Sequence, residues 1–383
     1  MAEYTGVDVQ VYYVDGENGD DTYNGEASVW AGGDSDVGPW QTIQKAFTEI
    51  DNTVHNHDGD DVRIMKTSDD ATYYGLAAEL SADWSGKEII INGANASGVV
   101  DGTIVEINGS ALGATDSMMK CANQTLDYST FTHLKFNAAD TAEYCVEFTD
   151  SNSHQVNWVN CQFTSATSHG YYTTNQSNYH SFINCRFDNN GGSGLEQQST
   201  SFAMYHKCLF DNNAGDGARI GYGSRISNCV FYNNGDDGLF VNVSGALVCD
   251  CVFDNNSSDG MSTSGSAQGI FVNNLYTNNT VKGLNASSTG VENRHFHPAF
   301  YNNGAAYANP TSGTYNNHLS MYNYLTSATV TYDDAANFDF TPDSASPILG
   351  AGVPSPFQWF GSTASDIGLG KFRAEGGESI SIF

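Results

Sequence analysis

The sequence predicts an all-β chain built as a single parallel β-helix, a solenoid of about 22 residues per coil, and three observations carry that prediction. A motif of the form C-x-F-x-N-N-x-x-x-G organises NCQFTSATSHGYY from 160, NCRFDNNGGSGLE from 184, KCLFDNNAGDGAR from 207, NCVFYNNGDDGLF from 228, DCVFDNNSSDGMS from 250 and NNLYTNNTVKGLN from 273. Its aromatic falls at Phe163, Phe187, Phe210, Phe231, Phe253 and Tyr276, and Phe300 in PAFYNNG continues the series, at spacings of 21 to 24 residues. Each repeat alternates as strands do, has no helical period, and lacks the leucine-rich L-x-x-L-x-L signature.

Taken in chain order, residues 1–60 hold a strand, an acidic loop and a capping helix, residues 61–304 the coils, and residues 305–383 further coils and a capping tail. The helix is read from GPWQTIQKAFTEID (38–51), where Ile43, Ala46, Phe47 and Ile50 fall on one face and Pro39 stands near its start. It would plug the open end that a solenoid exposes. Strands follow in DVRIMK (61–66) and GKEIIING (86–93), and HLKF (133–136) is an earlier coil lacking the Cys and the Asn pair. Coils stacked roughly 4.8 Å apart put equivalent residues above one another, so about ten of them would make a rod on the order of 50 Å long.

That stacking assigns a purpose to each repeated residue. The aromatics form a ladder, and Cys161, Cys185, Cys208, Cys229 and Cys251 form a column of small buried groups rather than disulfides. Cys121, Cys145 and Cys249 lie off the column, and no C-x-x-C pair suggests zinc. The Asn pairs from Asn189/Asn190 to Asn302/Asn303 make a corner ladder whose amides satisfy backbone groups left over by the turn.

Composition narrows the partners. A formal charge of −30, from 44 acidic and 14 basic residues, excludes a surface that tracks phosphates, so nucleic acid is not a partner. It also disfavours polyuronates unless a cation such as Ca²⁺ bridges like charges, leaving neutral glycans or protein surfaces. No stretch of 18 apolar residues is present to insert in a membrane, and residues 1–20 hold no basic segment followed by an apolar run. Synthesis without a secretory signal and reduced thiols together point to folding in a cytoplasm.

YYVDGENGDD (12–21) followed by GPWQTIQKAF resembles the opening of pectate-lyase-like right-handed parallel β-helix proteins, and NFDFTPDSASPILGAG (337–352) with SDIGLG (365–370) resembles their ending. The resemblance covers nearly the whole chain and implies the right-handed form of the fold. It does not imply one reaction, because that superfamily includes lyases, hydrolases, epimerases, bacteriophage tailspikes and non-catalytic virion proteins.

The candidate chemistry lies in Asp216, Asp237 and Asp259, which precede the repeat glycine on consecutive coils, with Asp236 and Asp250 expected nearby. A stacked column of this kind would raise at least one carboxyl pKa and could serve glycoside hydrolysis, one acid and one base. Asp216-Gly217 and Gly235-Asp236-Asp237 are similar to two steps of the polygalacturonase pattern; the third step has Asp259-Gly260 where His-Gly would stand, and His169-Gly170 comes two coils early. The Arg-x-Lys that would follow is replaced by Val281-Lys282-Gly283. For a lyase, Arg219, Arg225, His206 and Lys207 are the available bases and cations, without a recognisable motif.

The preferred reading is plainer: Asp-Gly is a turn dipeptide, and Ser193, Lys282 and His169 at the same position show that a polar residue suffices there. The acidic loop DGENGDDTYNGE (15–26) lacks EF-hand spacing and reads as solvated rather than as a Ca²⁺ site. His295 and His297 in ENRHFHPAF are expected as surface histidines on one side of a strand, not as metal ligands. No metal site and no cofactor are expected, with Ca²⁺ the one ion the Asp column would admit.

Two functions follow. The first is a bacteriophage virion protein, made in the host cytoplasm, that decorates the particle or attaches to cell-surface glycan; its partners are other virion proteins or that glycan, and such rods commonly form homotrimers. The second is a virion-borne or secreted glycoside hydrolase using the Asp column, with Tyr171, Tyr172, Tyr222 and Phe240 stacking on sugars.

Overall fold

The computed structural model describes residues 10–33, 35–50, 59–66, 74–76, 80–81, 88–121, 126, 128–149, 155–174, 178–197, 202–242, 244–263, 267–286, 293–308, 319–322, 325–326, 332–334 and 339–342. The chain divides into two compact units, Met1–Cys185 and Arg186–Phe383. In each, short strands on three faces pair in parallel with their equivalents one coil later.

In the first unit, one face runs Val11–Val14, Asp60–Met65, Ile89–Ala94, Thr130–Thr132, Asn157–Val159 and Ser181–Ile183. A second runs Val105–Asn108, Leu134–Asn137 and Gln162–Thr164, and a third Ser117–Cys121, Tyr144–Phe148 and Tyr171–Thr173. The core between them is aromatic: Trp158 stacks on Phe131 at 4.3 Å and meets Phe163 and Tyr171 edge-on. Phe136 pairs with Phe163 in register and stacks on it at 5.7 Å, so HLKF is indeed a coil of the ladder.

The predicted helix is present as Ile43–Ile50, with Ile43, Ala46, Phe47 and Ile50 buried as their spacing requires. It packs on Val11–Val14 and Leu80–Ser81. Its start is fixed by two groups: the Thr42 hydroxyl accepts the Lys45 N–H at 3.1 Å, and the Asp21 carboxylate accepts the N–H groups of Gln41 and Thr42, both at 2.9 Å. Part of the acidic loop therefore serves the helix. Asp15 and Asp20 likewise accept local N–H groups, from Glu17, Asn18 and Thr22.

In the second unit the first face runs Met204–His206, Arg225–Ser227, Ser244–Cys249, Gln268–Val272, Asn293–Phe296 and Leu319–Tyr322. The second runs Arg186–Asp188, Leu209–Asp211, Val230–Tyr232, Val252–Asp254, Leu275–Thr277 and Ala299–Tyr301. The third runs Leu195–Gln197, Ala218–Ile220, Leu239–Val241, Asp259–Thr263, Lys282–Ala286 and Ala305–Ala308. From Phe187 through Phe210, Phe231, Phe253 and Tyr276 to Phe300, successive rings stack at 4.8 to 5.1 Å.

The corner between the second and third faces explains the Asn pair. Asn189, Asn212, Asn233, Asn255, Asn278 and Asn302 hold φ between 51° and 56°, a left-handed conformation that Asn tolerates better than most residues. The following Asn points inward: the Asn234 amide donates to Asn256 Oδ1 at 2.9 Å and to the Phe210 carbonyl at 3.1 Å, and its own Oδ1 accepts from Asn213. The repeat glycine has a steric cause, since a Cβ on Gly238 would lie 2.5 Å from the Gly260 carbonyl oxygen.

Cys161, Cys185, Cys208, Cys229 and Cys251 are buried thiols, as the column predicts, and Cys121, Cys145 and Cys249 are buried thiols as well. Near the end of the described chain, Tyr332–Asp334 pairs antiparallel with Asp339–Pro342. The rest of the predicted ending motif, including SDIGLG, lies outside the described residues. No described helix is long and apolar enough to cross a membrane.

Two expectations require correction. His295 is a core residue, fully buried and stacked on Phe271 at 4.4 Å, whereas His297 lies beyond the strand in a turn with φ of 51°, so the two do not share a face. Alternation places His295 inward once Arg294 takes the outward position. Asp250 belongs to the corner between the first and second faces, where it accepts the Asn273 amide at 3.0 Å, and is not part of the Asp column.

Candidate functional site

The Asp column stands where the third face of the second unit begins. One carboxylate oxygen from each of Asp216, Asp236 and Asp237 lies within 4.8 Å of the others, and Asp259 follows one coil on. Asp216 and Asp237 are buried, while Asp236 is exposed.

Hydrogen bonding along the axis holds the column. Asp216 Oδ1 accepts the Asp237 N–H at 3.0 Å, and Asp237 Oδ1 accepts the Asp259 N–H at 2.9 Å. The second oxygens are also engaged: Asp216 Oδ2 with Arg219 Nε, Asp237 Oδ2 with the Ser262 hydroxyl, and Asp259 Oδ2 with the Asn285 amide at 2.7 Å. Arg219, Phe240, Ser262 and Asn285 are one outward column of the third face, by direct register. Each corner Asp is thus tied to this neighbouring column.

Electrostatics follow from burial. Burial raises the Asp216 carboxyl to about 6 against the opposing pull of Arg219, with Asp237 and Asp236 adding to the rise. Burial likewise raises Asp259, whose Oδ1 has no hydrogen-bond partner and stands 3.9 Å from Lys282 Nζ. Arg219 reaches Glu196 at 3.5 Å as well, and its guanidinium covers the Phe240 ring at 4.8 Å.

This arrangement is poorly suited to a cation, because Arg219 supplies a positive charge inside the cluster and both oxygens of Asp216 and Asp237 already accept hydrogen bonds. It is also closer than the ~6.5–9.5 Å that an inverting hydrolase leaves for its water.

The four aromatic candidates divide between the units, Tyr171 and Tyr172 in the first and Tyr222 and Phe240 in the second. Tyr171 is buried in the first unit with its hydroxyl 2.7 Å from His180 Nδ1, which removes it as a sugar platform: alternation turns it inward. Tyr172, also in the first unit, is half-buried in a stack with Tyr144 at 4.6 Å and His169 at 5.4 Å. Phe240 sits beneath Arg219. Tyr222 is exposed and lines a groove of about 700 Å³ with Phe202, Arg225, Ile270 and Arg294, none of which belongs to the Asp column. Of the candidate lyase groups, His206 bonds the Ser227 hydroxyl at 2.9 Å, burial lowers its pKa, and Lys207 is a corner residue with φ of 54°. Of the groove's arginines, Arg225 was read only as a cation for a lyase and Arg294 escaped notice, because the repeat was read at its Cys, aromatic and Gly positions. Reading four residues before each Cys position would have aligned Met204, Arg225, Leu247, Ile270 and Arg294.

Parallel coils, an inward Asn ladder and an aromatic ladder define a parallel β-helix. Residues 144–305 match the family described as "Right handed beta helix region". Pectate lyase Pel9A superposes with a TM-score of 0.52 at 14% identity, over 95% of this chain and 97% of that one. Alginate lyase from Paenibacillus sp. gives 0.51 at 14% identity, over 73% and 97%. ORF18 of Geobacillus virus E2 gives 0.47 at 14%, over 76% and 59%. Likeness at these identities speaks to the fold and not to the reaction. A search of curated proteins finds no match.

Proposed function

We propose that this chain is a non-catalytic adhesion protein of a bacteriophage particle, holding host-surface glycan on a β-helix face without cleaving it. The observation that carries this reading is the bonding of the Asp column: Asp216 and Asp237 each spend one oxygen on the next coil's N–H and the other on Arg219 or Ser262. Carboxylates so engaged maintain the corner and are poorly placed to exchange protons with a substrate. The buried thiols suit folding in a reducing host cytoplasm.

One observation favours hydrolysis instead. Asp216, its carboxyl raised to about 6 by burial, stands within 4.8 Å of the exposed Asp236 carboxylate, so a candidate acid has a second carboxylate beside it. The spacing is nearer to the ~5–5.5 Å of retaining enzymes than to the inverting range.

A glycan screen separates the two, with wild type beside the Asp236→Ala/Asp237→Ala double variant, scored for binding and for cleavage products. Binding without products, unchanged in the variant, together with the chain in purified particles, is the expected result. Cleavage by wild type that the variant loses overturns the adhesion reading.

A further inference from the structure

The outer side of the first face in the second unit carries a column that the Asp corner does not touch. Met204, Arg225, Leu247, Ile270 and Arg294 are Cα partners in succession, each outward while its neighbour Tyr205, Ile226, Val248, Phe271 or His295 is buried. Arg225 and Arg294 are both exposed, three ladder steps apart, which is roughly 14 Å along the axis. Between them the column is apolar.

The surroundings make a groove of this column. Phe202 and Tyr222 meet edge-to-face at 5.6 Å and remain about half exposed, at 47% and 49%, giving aromatic surface at one end. Gly223, Gly245 and Gly269 line it without side chains, and the space beside Gly223 and Gly269 is taken by the Phe202 and Phe271 rings. It is an open groove with a volume of about 700 Å³, within the range of small-ligand sites. Arg225 forms no ion pair with any described residue, in a chain where 44 acidic residues face only 14 basic ones.

From this geometry we infer that the groove binds an acidic heteroglycan lying along the helix axis, with carboxylates separated by uncharged sugars. Each guanidinium takes one carboxylate, the intervening apolar faces of the sugars lie on Leu247 and Ile270, and Tyr222 stacks on a terminal ring. A homopolymeric uronate, with a charge on every sugar, fits less well, because its middle carboxylates would be desolvated against Leu247 and Ile270. The inference rests on the adhesion reading for the existence of a glycan ligand, and adds its place and class. It also reverses locally what the net charge suggests, since the field beside two arginines is set by them and not by charges beyond a Debye length of about 8 Å.

The test is a glycan array carrying capsular oligosaccharides with one glucuronate per repeat unit, their carboxyl-reduced forms, and oligogalacturonate. It is probed with wild type, Arg225→Ala, Arg294→Ala, Tyr222→Ala and Arg225→Ala/Arg294→Ala, each checked for unchanged melting temperature and unchanged oligomeric state. Expected are binding of the glucuronate-bearing repeats above both comparison sets, a loss of about tenfold for each single Arg variant, and weakening as salt rises. Equal binding of the carboxyl-reduced forms, or preference for oligogalacturonate, overturns the ligand class. Binding that persists in the double Arg variant overturns the groove while leaving adhesion standing, and no binding to any glycan by wild type overturns both. Dissociation of an oligomer in the Arg variants would make the face a contact between copies and overturn the inference.

Discussion

The carboxylate of Asp216 accepts the backbone N–H of Asp237 at 3.0 Å, one coil further along the helix, and Asp237 repeats the contact on Asp259. What looks in one dimension like an acidic doublet is in three dimensions a vertical seam. The seam replaces, at this corner, part of the backbone pairing that the strands supply elsewhere.

Asp237→Ala should therefore destabilise the fold by about 1–3 kcal/mol, because the buried Asp259 N–H and the Ser262 hydroxyl lose their acceptor. Asp237→Asn keeps an acceptor and should cost less, and Asp236→Ala, at an exposed position, should stay within about 0.5 kcal/mol of wild type. Denaturant titration of the three variants checks the order; equal losses at 236 and 237 would contradict the seam.

At the Asn corner the two ladder positions should respond differently. Asn234→Ala removes a buried amide that bonds Asn256 and Phe210, with losses of roughly 3 kcal/mol or more as several groups are left unpaired. Asn233 is exposed with φ of 53°, so Asn233→Gly should be nearly neutral and Asn233→Ala cost about 1 kcal/mol through backbone strain. Thermal unfolding of the three side by side tests this.

Gly238→Ala should be among the most damaging small substitutions in the second unit, since the added carbon would meet backbone and the Asn256 amide at 2.9 Å. The expected loss is about 1–3 kcal/mol or more, read as a lowered melting temperature.

Acid should weaken the fold through His295, whose imidazole is lowered from 6.5 to about 3 by burial. The unfolded chain binds a proton that the folded chain refuses across that window, so stability present above pH 6.5 falls by up to about 1.4 kcal/mol per unit as pH drops toward 3. Asp216 acts oppositely: its raised pKa, about 6, means the folded form takes a proton more readily, adding stability as pH falls from 6 toward its ordinary value of 3.8. His295→Phe should flatten the acid limb of a stability-versus-pH curve, and an unchanged limb would remove His295 as its cause.

The architecture was legible because one-dimensional stacking writes itself into sequence as a period: Phe210, Asn213 and Gly217 recur since each must fit against its own copy one coil away. The site was less legible for the same reason. Asp216, Asp237 and Asp259 recur like the structural residues, and sequence alone cannot tell a carboxylate that faces solvent from one that accepts the next N–H. Arg225 and Arg294 do not recur on the coils between them, so a reading tuned to repetition took Arg225 only as a cation for a lyase and passed over Arg294. His295 was misjudged because polarity suggested the surface, whereas register with Phe271 placed it in the core.

The buried thiols carry a practical consequence. With every cysteine sequestered in the folded chain, a sulfhydryl reagent has no native sulfur to modify, so an added cysteine would be labelled alone. Asp236→Cys and Met204→Cys would set one fluorophore at the Asp corner or one beside Arg225 in the arginine column, letting the surface that a glycan touches report its own occupancy.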